Sequence, residues 1–186
     1  MPQNIPVDLR AYDNSWYSPG AGKGKQLLWY FVNALFFINP LNPLSGIKVK
    51  LLRLFGARVG ERVLIKPGVN IKYPWHLAIG DDCWIGERVW IDSLTTITIG
   101  NNVCLSQGAM LLTGNHNFKS RKFDLMVGKI VLEDGAWIGA QSTVCPGVKV
   151  HSHAVLAVGS VAARDLEPYT IYQGNPAVAV RKRVVG

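Results

Sequence analysis

The sequence predicts an all-β chain folded as a solenoid, a parallel β-helix of short strands, and two observations carry that prediction. A branched apolar residue returns every six positions: Val59, Ile65, Ile71, Leu77, then Ile79, Ile85, Ile91, Ile97, then Ile99, Leu105, Leu111, and again Leu132, Ile138, Val144, Val150, Leu156. Two residues before most of these anchors stands a small or slim side chain, among them Val63, Val69, Cys83, Val89, Thr95, Val103, Ala109, Ala136, Ser142 and Ala154. A helix repeats every 3.6 residues and a half-buried strand every two, so neither produces this combination. Hexads mean short strands joined by tight turns, three to a triangular coil, stacked around an interior of Val, Ile and Leu.

Residues 1 to about 24 are polar, and Pro19, Gly20, Gly22 and Gly24 mark a loop. Residues 25–38 form an apolar run closed by Asn39, Pro40 and Pro43. The run is shorter than the ~20 residues of a spanning helix, and no small-residue cleavage signature follows it. It reads as a helix capping the open end of the solenoid. Because Leu27, Trp29, Tyr30, Phe31, Phe36 and Phe37 cover nearly its whole circumference, with Lys23 and Lys25 beside them, it also reads as a peripheral membrane contact. A second amphipathic helix is expected over about 47–55, stopped by Gly56.

Within the coils, Val59 to Ile79 and Ile79 to Ile99 are each 20 residues, three hexads plus two, so the extra residues widen one corner. From Ile99 to Leu132 is 33 residues, which leaves about 13 after one 20-residue coil is subtracted. An aperiodic insertion of that length in a compact domain is usually functional. The division expected is therefore 1–56 for the N-terminal loop and helical cap, 57–162 for the β-helix with an inserted loop at about 113–129, and 163–186 for a short C-terminal segment.

The chain has 186 residues, 48% of them hydrophobic, enough for one domain with a core. Its three cysteines have no paired spacing, which argues against a disulfide framework or a zinc knuckle and fits a reducing, cytoplasmic compartment. Cys83 falls on a small inward position and reads as a buried hydrophobe. The net charge of +8 is scattered apart from Arg121–Lys122 and Arg181, Lys182 and Arg183, with no nucleic-acid motif. A phosphorylated small molecule or an anionic membrane surface suits that charge better than nucleic acid.

The hexads, the interrupted coil and Gly174-Asn175-Pro176-Ala177 together resemble the hexapeptide-repeat acyltransferases, over about 51–183. Leu-Leu-Arg-Leu-Phe-Gly at 51–56, Tyr73-Pro74-Trp75, Ile-Gly-Asp-Asp-Cys-Trp-Ile-Gly at 79–86 and Gly-Ala-Trp-Ile-Gly at 135–139 are most similar to the acetyltransferases of colanic acid and related exopolysaccharide biosynthesis. The resemblance implies a left-handed β-helix, a handedness that the general preference for right-handed crossovers would not give. It further implies acetyl-CoA as donor and a homotrimer with each active site between neighbouring solenoids. The outward aromatics Trp84, Trp90 and Trp137 would suit a subunit face or a cofactor groove.

Acetyl transfer from a thioester to a hydroxyl needs a base for the hydroxyl proton and a donor for the developing oxyanion. By resemblance His116, in Gly114-Asn115-His116-Asn117, is that base, and imidazole can accept a proton near neutral pH. Relatives often carry Ser-His-Asp here; with Asn on both sides, the partner orienting the imidazole is a backbone carbonyl, Asp92 or Glu87. Asn115 and Asn117 either bond the acceptor or hold the turn, and Asp92 is a further acceptor contact. The resemblance assigns coenzyme binding to Trp137, Gly139, Ala140, Val158, Ala163, Arg164 and Arg181, with Lys182 and Arg183 as further partners for phosphate. Small residues there would let the pantetheine approach the backbone.

His76, His151 and His153 are weaker candidates. Zinc-dependent carbonic anhydrases share hexapeptide solenoids and join three His across an interface, but no His pair here has that spacing, so no metal is expected. The reading is O-acetylation of a sugar hydroxyl on an exopolysaccharide, nucleotide-sugar or lipid-linked precursor. Acetylation of a small free acceptor (an antibiotic, serine or an amino sugar) and a non-catalytic scaffold are the alternatives.

Overall fold

The computed structural model describes residues 5–186 and is a left-handed parallel β-helix. Its three faces are parallel sheets. The first holds Arg58–Val59, Leu77–Ile79, Ile97–Ile99, Ile130–Leu132 and Lys149–Val150. The second begins with Leu64–Ile65 and Trp84–Ile85 and the third with Asn70–Ile71 and Trp90–Asp92. Registers match the hexad anchors: Ile65 pairs with Ile85 and Ile85 with Leu105, and Ile71 pairs with Ile91 and Ile91 with Leu111. These anchors are buried and form one continuous column.

Most of the slim positions lie inside as well, including Val89, Ala109, Ala136 and Ser142; Thr95 does not, because its coil is already bending away at that corner. Cys83 is fully buried, its thiol donating to the Gly100 carbonyl at 3.0 Å, and burial raises all three thiols above their usual pKa. The two extra residues of the early coils fall between the third face and the first, where Leu77 and Ile79 both point inward from one strand. The long insertion occupies that same corner. It is not structureless: Gly114–His116 and Leu125–Val127 pair as an antiparallel hairpin.

Coil corners repeat one device. Gly60, Gly80 and Gly100 lie so close to the next coil that a Cβ at any of them would strike Asp81, Asn101 or Asp134. Those carboxylate and amide oxygens accept the backbone N–H of Glu61, Asp81 and Asn101 at 2.7–2.9 Å, forming a ladder up one edge. Glycine is needed there for space rather than for its backbone freedom.

Helix α1 (Lys23–Val32) continues as a π-helical segment Asn33–Ile38, and α2 spans Ser45–Leu54, close to the bounds expected. Together they cap the first coil. A terminal coil exposes unpaired strand groups on all three faces, and each face receives side chains from the cap. Arg53 Nε donates to the Val59 carbonyl at 2.9 Å on the first face. On the second, Ser45 Oγ accepts the Ile65 N–H at 2.8 Å and buried Lys48 donates to the Lys66 carbonyl at 2.9 Å. On the third, Trp29 Nε1 donates to the Ile71 carbonyl at 2.9 Å and Asn33 Nδ2 to Asn70 Oδ1 at 2.8 Å. Trp29, Phe37 and Phe55 close the core with ring separations near 5 Å. At the other end, Thr170–Gly174 and Ala177–Lys182 form an antiparallel hairpin, turning through a cis Asn175–Pro176 bond, that extends the second face beyond Val155–Leu156.

Candidate active site

His116 ends the first strand of the inserted hairpin, at the corner between the third and first faces. Its Nδ1 lies 2.9 Å from the Phe123 carbonyl. A carbonyl can only accept, so Nδ1 carries a proton, and in the neutral ring Nε2 is the nitrogen with the lone pair. The Phe123 ring stacks on the imidazole with centroids 4.4 Å apart and planes 8° from parallel, and Tyr12 approaches at 5.7 Å. Of the three orienting partners open to the sequence, the chain itself thus supplies a backbone carbonyl. Glu87 stands at the corner between the second and third faces, beside Arg88, Gln107 and Gln141, away from His116.

Asp92 ends a third-face strand, and its carbonyl accepts the Thr113 hydroxyl at 2.6 Å, tying it to the start of the hairpin. Burial raises the pKa of its carboxyl, with Lys72 opposing that shift. A Cβ on Gly114 would lie 3.7 Å from Asp92 Oδ2, so the carboxylate borders the strand that carries His116. Asn115 is exposed and its Oδ1 accepts the His116 N–H at 2.8 Å; Asn117 Oδ1 accepts the Lys119 N–H at 3.1 Å and its N–H bonds the Asp124 carbonyl. Both amides therefore hold the turn.

The sequence reading missed the N-terminal segment, which straps this corner. Asp8 N–H donates to the Arg121 carbonyl at 2.9 Å, and the Asp8 carboxylate meets Arg121 at 3.3 Å. Tyr17 donates its hydroxyl to the Leu94 carbonyl at 2.7 Å. Burial first, then the charges of Tyr73 and Asp92, push the Tyr17 phenol up to about 12, so it remains a neutral donor. Further along, Trp75 Nε1 donates to the Pro19 carbonyl at 2.6 Å. These residues have no period, and their roles depend on contacts far away in the chain.

The residues expected to hold coenzyme fall into two groups. Trp137, Gly139, Ala140, Val158 and Arg181 lie on the second face and at its corner with the third. Ala163 and Arg164 follow the last third-face strand, at the His116 corner but two coils further on. Trp137 is partly exposed and donates to Ser106 Oγ at 2.9 Å, leaving its ring face outward. Gly139 is buried, and a Cβ there would strike the backbone of Leu156 and Val158, so coil stacking alone requires glycine. Val158, Ala163, Arg164 and Arg181 are exposed, and neither arginine is ion-paired among the described residues. Lys182 and Arg183 are committed within the chain, Lys182 to Thr170 Oγ1 at 2.9 Å and Arg183 to the carbonyls of Gly135 and His153.

The remaining histidines are dispersed: His76 against Pro19, His151 beside Glu133, and His153 stacked on Tyr169 at 4.7 Å. Among the described residues no three His, Cys, Asp or Glu gather as metal ligands.

The family model for the hexapeptide repeat of succinyl-transferase matches residues 76–112 and 129–161, and the gap between the two matches covers the hairpin that bears His116. The Escherichia coli protein named "Putative colanic acid biosynthesis acetyltransferase WcaF" is 37% identical over 165 residues, 89% of this chain and 91% of that protein. The E. coli galactoside O-acetyltransferase is 27% identical over 71% of this chain and 66% of its own. Among solved structures, the hexapeptide-repeat acetyltransferase VCA0836 of Vibrio cholerae superposes with a TM-score of 0.79 at 23% identity, covering 88% of this chain and 94% of that one. Its complex with acetyl coenzyme A gives 0.72 at 25% identity, over 78% and 81%. Identity of 37% over 89% of this chain and 91% of the E. coli colanic acid relative shows the family: the chain belongs to the hexapeptide-repeat acetyltransferases.

Proposed function

We propose that the chain transfers an acetyl group from acetyl-CoA to a sugar hydroxyl on an exopolysaccharide or glycan precursor, on the cytoplasmic side, with His116 as the general base. The observation that carries this reading is the state of the imidazole: Nδ1 is bound to the Phe123 carbonyl and the ring is stacked, so Nε2 is the available basic nitrogen. Nε2 takes the proton of the acceptor hydroxyl as its oxygen attacks the thioester carbonyl. As the new C–O bond forms and the C–S bond breaks, the imidazolium returns that proton to the departing thiolate. Asp92 borders the strand carrying the base and suits contact with a second hydroxyl of the acceptor.

Exposed Val158 and the smaller Ala140 suit close approach by a pantetheine arm, while Arg164 and Arg181 suit phosphate. That the VCA0836 relative was solved with acetyl coenzyme A supports this donor. The colanic acid and galactoside relatives support a sugar acceptor and oxygen as the acylated atom. A homotrimer suits this placement. His116 and the group of Trp137, Ala140 and Val158 stand at opposite edges of the third face. A neighbouring copy turned by a closed cyclic operation brings one edge against the other, and the exposed rings of Trp84 and Trp137 suit that junction.

Thiol release from acetyl-CoA against a panel of sugars, nucleotide sugars and lipid-linked glycans tests the reading. Acceptor-dependent release is expected, with His116→Ala lowering it about a hundredfold or more. Release that survives the substitution would remove His116 as the base.

A further inference from the structure

Helix α1 buries only one side against the coils. Trp29, Asn33 and Phe37 point inward, whereas Leu27, Leu28, Tyr30, Phe31, Leu35 and Leu41 are each more than half exposed. Leu27, Phe31 and Leu35 recur every four residues and so share the face turned away from the solenoid. Six large apolar side chains uncovered on one cap exceed the scattered exposed apolar residues usual on soluble proteins.

Charge distinguishes the same region. Between Asp13 and Glu61 the chain contains six Lys and Arg residues and no Asp or Glu. Lys23 is exposed at the start of α1, and Lys50 is exposed on α2. An apolar face bordered by lysines, with no acidic residue in the segment, fits the headgroup region of an anionic bilayer. The helix cannot cross one. The 10 residues of α1 and 6 of the π segment reach about 24 Å at most, against roughly 30 Å of hydrocarbon.

We propose that the N-terminal cap is a docking surface for an anionic phospholipid bilayer, with α1 lying in the membrane plane. The patch is at the end of the solenoid, not on the flanks where neighbouring copies would complete the active site. In the trimer proposed above, all three caps share one end and meet a single membrane together. Tyr30 and Ile38 also line a cleft of about 370 Å³ that runs under α1 to Lys72 and Tyr73, and the Tyr73 backbone is hydrogen-bonded to the hydroxyl of Ser93, the residue after Asp92, at 2.9–3.0 Å. A membrane-borne acceptor would thus be delivered to the His116 corner. That last step rests on the acetyl-transfer reading; the docking itself does not.

Flotation of the full chain at low salt with vesicles of phosphatidylcholine containing about one-third phosphatidylglycerol tests the proposal without donor or acceptor present. The chain is expected to float with these vesicles and to remain behind with pure phosphatidylcholine. Leu27→Ser/Phe31→Ser is expected to lower the bound fraction at least about tenfold. Lys23→Glu/Lys50→Glu should weaken binding to the anionic vesicles in the same direction. All four side chains are exposed, so both variants should melt like the wild type. Wild-type protein that does not float, or equal binding to pure phosphatidylcholine, overturns the proposal. So does a Leu27→Ser/Phe31→Ser variant whose sedimenting mass falls, which would assign the patch to a second copy of the chain. A failure of acetyl transfer leaves this readout unchanged.

Discussion

The stacked coils and the corner that carries His116 are built on different terms. Ile91 sits in register between Ile71 below and Leu111 above, so its position is fixed by identical geometry on both sides. Among the described residues the His116 strand pairs only with Leu125–Val127, and what steadies that hairpin comes from outside the repeat: Asp8 at Arg121, Tyr12 beside the imidazole, and Tyr17 on Leu94. The difference teaches how the fold divides its labour. Regular coils supply a frame whose strands pair with the coils on either side, and chemistry is placed where one corner departs from the repeat and leaves polar groups and a basic nitrogen available.

Substitutions at glycine test the coil side of that comparison, with an exposed glycine of the cap as the control. A Cβ at Gly80 would collide with the Gly100 backbone and with Asn101, whose amide oxygen holds the corner ladder. Gly80→Ala should cost about 2–4 kcal/mol, read by urea denaturation. Gly24, on the exposed side of α1, has no neighbouring atom near the added carbon. Gly24→Ala should instead stabilise by about 0.5–1 kcal/mol through helix propensity. Equal losses at the two sites would mean the coils are not packed as described.

At the corner the expected effect falls on rate. Phe123→Ala keeps the carbonyl bonded to His116 but removes the ring stacked on it. As a positioning residue it should lower kcat about tenfold while leaving KM for acetyl-CoA nearly unchanged. A rise in KM with kcat preserved would place Phe123 in donor binding instead.

How far these regions could be foreseen differs for physical reasons. The coils were legible because each inward position accepts only a narrow class of side chain, so the core writes its period into the sequence. His116 was legible through the motif at the interruption. Its orienting partner was not, since a backbone carbonyl such as that of Phe123 leaves no mark in residue type. The cap was read as a helix, but the roles of Arg53, Ser45, Lys48 and Asn33 in completing three strand edges depend on single side chains meeting distant backbone. Gly139 illustrates the converse: the resemblance makes it a coenzyme contact, whereas coil stacking already requires it.

The smallest effect concerns Asp92. Burial raises its pKa, so the folded chain holds the proton more tightly than the unfolded one. Its carboxylate therefore costs stability above the folded pKa, and the cost disappears below the unfolded value of about 4. Asp92→Asn should raise Tm by about 1 °C at pH 8, a modest shift because the group is only partly buried. The gain should fade as pH drops toward about 3. A gain that grows on acidification would contradict the sign of that shift.

The division between base and donor site across neighbouring copies is tested by mixing subunits. His116→Ala lacks the base, and Ala140→Trp/Val158→Trp fills the corner between the second and third faces; each alone should be inactive. Refolded together in equal amounts, they should recover about a quarter of wild-type acetyl transfer, the statistical fraction of junctions that join an intact base to an intact groove. No recovery, with mixed assemblies shown to form, would mean that each chain builds its whole site alone.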